Sequence, residues 1–113
     1  MPPDDQKPPV QYVLVRKDLP SVVQMVNVGH ACGEAITVAP ISRQTVLRVL
    51  HVRDEVELLS YADKLCEKDI HFAIVREPDA PYNNQNMALA TEPSNERLNA
   101  LGKLFFHLEK ATL

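Results

Sequence analysis

The sequence predicts an α/β fold: a mixed four-stranded sheet in the order β-α-β-α-β-β-α, with helices packed on it. Three observations predict it. Short β-branched runs such as Tyr12-Val13-Leu14-Val15 alternate with longer stretches whose apolar residues recur every three or four positions. Strands separated by helices favour parallel neighbours joined by crossovers. The last two strands have only a loop between them, so they are expected to be antiparallel.

Residues 1–9 hold four of the nine prolines and form a flexible lead-in, leaving 10–113 as a single domain. Gln11 to Arg16 is a buried strand, and the turn Lys17-Asp18-Leu19-Pro20-Ser21 offers Asp18 or Ser21 as a helix cap. Val22 to Ile36 is too long for a strand and is bounded by Pro40. Its apolar positions Val22, Val23, Met25, Val26, Val28, Ala31, Cys32, Ala35 and Ile36 line a helix, and the Gly29-x-x-x-Gly33 spacing gives it a face suited to close approach by a neighbour. Thr45 to Val52 is the second strand. Asp54 with Glu57 three residues on starts the second helix, whose stripe is Val56, Leu59, Ala62, Leu65 and Cys66. Ile70 to Val75 is the third strand, Glu77 to Asn86 a loop with two prolines and three asparagines, and Gln85 to Thr91 the fourth strand. Pro93 to Glu96 opens a last helix through Leu98, Leu101, Leu104, Phe105 and Leu108.

Composition narrows the function. Fifteen acidic residues outnumber twelve basic ones, which disfavours the broad basic surface of a nucleic-acid binder. No apolar run spans a bilayer, so no membrane partner is expected. The opening Met1 to Asp5 lacks the basic and apolar regions of a secretory signal. Two distant cysteines form neither a disulfide framework nor a zinc motif. The expectation is a cytoplasmic protein with free thiols, no metal and no cofactor. Glycine-rich phosphate loops and nucleophile elbows are lacking.

Four patches resemble the type 2 peptidyl-tRNA hydrolase superfamily. Tyr12-Val13-Leu14-Val15-Arg16-Lys17-Asp18-Leu19 resembles its first strand and "VxRxDL" turn. Asn27-Val28-Gly29-His30-Ala31 resembles its "QxxHA" helix motif. Leu50-His51-Val52-Arg53-Asp54-Glu55 resembles the strand leading to its "APDE" helix start, and Met87 to Pro93 resembles its last strand. A divergent bacterial branch is more similar, with Asn-x-x-His in the first helix and a leucine-rich ending like Leu98 to Leu108. The resemblance implies the superfamily's fold and hydrolysis of an ester such as peptidyl-tRNA. Two family features are missing. The glycine-lysine pair falls on Val22-Val23, and no threonine follows Arg76-Glu77-Pro78-Asp79. Their loss points to the alternative, a non-catalytic homodimer that binds a small ligand or a protein.

The candidate catalytic residues are His30, Asp18, Glu77 and Asp79. On a helix Asn27 neighbours His30 and could fix its tautomer, leaving the other ring nitrogen for proton transfer. The alternative is a histidine that only packs. Asp18, Glu77 and Asp79 follow strand carboxyl ends, where α/β sheets bind ligands. Equally ordinary roles are a helix cap for Asp18 and a solvated turn for the other two. Lys17, Asn27 and Asn83 are candidate ligand contacts. Lys17 could replace the missing lysine in space, and Asn83 belongs to the amide-rich run after Tyr82. Candidate partners are tRNA, a small molecule and a second copy of the chain. Cys32 points about 200° from His30 on the helix, so the two form no direct dyad.

Overall fold

The computed structural model describes residues 8–42, 44–94 and 100–111. Its strands are β1 (Val10–Arg16), β2 (Val46–Val52), β3 (Phe72–Glu77), β4 (Gln85–Thr91) and β5 (Glu109–Lys110). Its helices are α1 (Ser21–Ala35), α2 (Glu55–Glu67) and α3 (Ala100–Leu104). The α/β class and mixed sheet agree with the sequence. The sheet has five strands rather than four, in the order β3-β4-β1-β2-β5. The added strand is the short segment after Leu108, where Leu50 and His51 pair with Lys110 and Glu109. A helix through Leu108 was expected there. The described helix stops at Leu104, and Leu108 precedes the new strand. Ser94 does not open the last helix either, since it bridges Val10 with both backbone bonds made. The expected helix start beyond it and most of the lead-in fall outside the described residues.

β1 is central and parallel to β2, while β4 is antiparallel to both β1 and β3. Alternation along β1 divides the interior. Tyr12 and Leu14 point to one face, against Leu50, Val52, Leu58, Tyr61, Leu65, Leu101 and Phe105 of the neighbouring strands, α2 and the α3 segment. Val13 and Val15 point to the other, where α1 lays Ala31 and Ala35 against Ala88 and Ala90. Small residues on both sides let α1 lie close to the sheet.

The helix faces differ from expectation. α2 buries Leu58, Tyr61, Ala62 and Leu65, leaving Val56 and Cys66 exposed. The stripe is rotated because Leu58 and the large Tyr61 ring bury more apolar area than Val56 and Cys66 would. The Asp54 cap is as expected: its Oδ1 accepts the Glu57 amide at 3.0 Å. α1 departs further. It buries Gln24, Asn27, Ala31 and Ala35 and exposes Val22, Met25, Val26 and Ile36. Pro20 sits at its N-cap with no side-chain cap bond, so neither Asp18 nor Ser21 caps it.

Candidate functional site

At the carboxyl ends of β1 and β2, Arg16 is the hub of a polar cluster. Its side chain is only 7% exposed. Nε and one terminal nitrogen donate to the two Asp18 oxygens at 2.9 and 2.8 Å. The other terminal nitrogen donates to Gln85 Oε1 at 2.8 Å and to the Asn86 carbonyl at 3.1 Å. The Asp18 contact raises the Arg16 pKa further, so the guanidinium is permanently charged. Glu55 Oε2 accepts both the backbone and side-chain N–H groups of Asn86 at 2.7 and 3.1 Å. The cluster thereby ties β1, α2 and β4 together. Asp18, engaged by both oxygens, holds a buried charge in place; it is not a free base.

The remaining predicted residues lie elsewhere. Lys17 Nζ is 3.7 Å from Glu109 of β5. Glu77 and Asp79 organise the turn before β4: Glu77 Oε1 accepts the Asp79 amide, and the Asp79 carbonyl accepts from Tyr82 and Asn83. Asn83 is exposed, with φ of 48°, the left-handed geometry a tight turn requires. Asn27 is 2% exposed and donates to the Val23 carbonyl at 2.9 Å, while its Oδ1 is buried without a partner. It faces the sheet, whereas His30 is exposed, and no hydrogen bond joins them among the described residues.

His30 is therefore not a sealed packing residue. It lines an open hollow of about 510 Å³ between α1 and β3, with Gly29, Gly33, Glu34, Ile74, Val75 and Arg76. Asp18, Glu77 and Asp79 are not among the lining residues. His30 also lies roughly 13 Å along the helix from Ser21, so Asp18 is at the other end of α1. The acidic neighbour is Glu34 instead. Its i,i+4 spacing from His30 was visible in the sequence. A Cβ on Gly29 or Gly33 would meet nothing within 4 Å, so the glycines border open space rather than a close neighbour.

Sequence reasoning missed the second anchor of α1. Gln24 donates to the Leu19 carbonyl at 2.8 Å, and its Oε1 lies 2.7 Å from His51 Nε2, which makes that nitrogen the donor. Nothing local distinguishes Gln24 as buried; the signal exists only once β2 is placed beside α1. Burial pushes the Cys32 thiol up, away from nucleophilic use. Among the described residues there is no cluster of three metal-ligating side chains and no helix long and apolar enough to cross a membrane.

No protein-family model matches the chain, and no curated protein sequence matches it.

Proposed function

We propose that the protein is a non-catalytic binding domain that works as a homodimer, with α1 as the contact surface. One observation carries this reading: α1 exposes a row of large apolar side chains while it buries two amides. Val22 is 70% exposed and Ile36 63%, while Gln24 is 5% exposed. Val22, Val26, Gly29, Gly33 and Ile36 are spaced 4, 3, 4 and 3 residues apart, the repeat by which one helix packs along another. Among the fifteen residues of α1 only Glu34 carries a formal charge. A helix face so apolar and so poor in charge fits contact with protein better than contact with water. Light scattering tests the reading. The expected mass is twice the 12.7 kDa chain; a monomer at every concentration contradicts it.

Ester hydrolysis is the second reading, favoured by the solvent access of His30 beside Glu34. Under it, Glu34 would orient the ring and His30 would activate water. The resemblance makes peptidyl-tRNA the substrate to assay. Release of tRNA that disappears in His30→Ala supports this reading, and release no faster than a buffer blank ends it.

A further inference from the structure

β3 is an edge strand, and its outer edge has no partner among the described residues. The ladder identifies its free groups. The Glu92 amide donates to the His71 carbonyl at 2.9 Å, which makes Phe72 and Thr91 a non-hydrogen-bonded pair. By alternation, Ala73 and Val75 bond to β4, while the amides and carbonyls of Phe72 and Ile74 face outward. Such an edge is a template for another strand unless it is blocked. This one has neither a lysine nor a proline between Phe72 and Glu77, and the register shift at Val75/Arg76 leaves Phe72 to Val75 as the regular stretch of edge.

Resting on the homodimer reading, we infer that the second copy docks edge to edge: β3 pairs antiparallel with the partner's β3, giving one continuous sheet with two α1 helices side by side across it. Charge selects this occupant. β3 runs parallel to β1, and α1 returns in the opposite sense. Within the hollow, His30 therefore lies toward the Arg76 end and Glu34 toward the Ile74 end. A two-fold axis at the outer edge of β3 exchanges these ends, so Glu34 of each copy faces the Arg76 end of the other. The hollow is thus complementary to itself. Gly29 and Gly33 border open space on this side of α1, with no side chain of their own to hold a neighbouring helix away. A six-residue edge alone is small against the roughly 800 Å² per partner of a standard interface. The adjoining apolar side of α1 extends it.

The test combines charge reversal with amide exchange on the whole chain. Glu34→Lys and Arg76→Glu are each expected to weaken dimerisation about tenfold or more, and the double variant to restore it. Both residues are exposed, so the fold survives. In wild type, the Phe72 and Ile74 amides should exchange about 100-fold more slowly in concentrated dimer than in dilute monomer. Restoration with that slowing is the expected result. A dimer whose Phe72 and Ile74 amides exchange as fast as in the monomer overturns the strand pairing but leaves the homodimer. A chain that is monomeric throughout overturns both.

Discussion

α2 and α3 cover one face of the sheet and α1 the other, and the two coverings obey different rules. On the α2 side, large side chains meet: Leu14, Leu58 and Leu65 are fully buried, and the Phe105 ring lies 5.0 Å from Tyr12 and 5.5 Å from Tyr61. The outer side of α2 carries Glu57, Asp63, Lys64 and Glu67, as a solvated helix should. On the α1 side, alanines meet alanines, and two amides are buried where apolar groups would serve. Val22, Met25, Val26 and Ile36 face out, while Val23 and Val28 are half-buried against the core. A helix that spends its apolar residues on the outside contributes less to the core of its own chain. On the proposed homodimer reading, the difference separates a face that holds the monomer together from one whose apolar surface meets a second copy.

The comparison breaks first at the core. Leu58→Ala or Leu65→Ala should cost about 3 kcal/mol in urea unfolding, whereas Val22→Ala or Met25→Ala, measured at dilution, should stay within about 0.5 kcal/mol. Equal losses would mean that α1 is as integral to the fold as α2. Next, Asp18→Ala leaves the Arg16 charge unpaired in a site where its side chain is only 7% exposed. A loss of about 2 kcal/mol is expected, with no change in dimerisation. Dimerisation should also make the wild-type melting temperature rise with protein concentration, by mass action. A concentration-independent melt removes the second molecule from the account.

The smallest effect is at the α2 cap. The Glu57 amide holds the Asp54 carboxyl below its ordinary value of 3.8. A depressed folded pKa means that the cap's stabilisation is full above the unfolded value and is lost as pH falls through the folded one. Wild type and Asp54→Ala should therefore differ at pH 7 and converge in strong acid. A gap that persists at pH 2 would assign the effect to packing instead.

Periodicity and turn chemistry carried most of the architecture. Three strands ended where Arg16, Val52 and Thr91 end, and Asp54 was recognisable as a cap because its partner lies three residues on. β5 was illegible because a two-residue strand has no period of its own. The faces of α1 were misjudged for a tertiary reason. Gln24 and Asn27 turn inward because α1 is anchored at Leu19 and His51 and packs by small residues, and neither condition is local. His30, singled out from its place beside Asn27, lines an open hollow. Its surroundings were not foreseen: Glu34 and Arg76 line the same hollow, while the three strand-end carboxylates stay with Arg16 and the turn. The polar cluster at the top of the sheet is a brace between elements, which a strand ending in an arginine two residues before an aspartate could have suggested.

Sedimentation equilibrium on a matched pair of variants tests the central claim most directly. Val26 on α1 and Val56 on α2 are both exposed, at 48% and 74%. Val26→Glu should convert a dimer to a monomer, while Val56→Glu should leave the dimer intact although it alters the more exposed valine. Wild type sedimenting as a monomer, or both substitutions affecting association alike, would contradict the account.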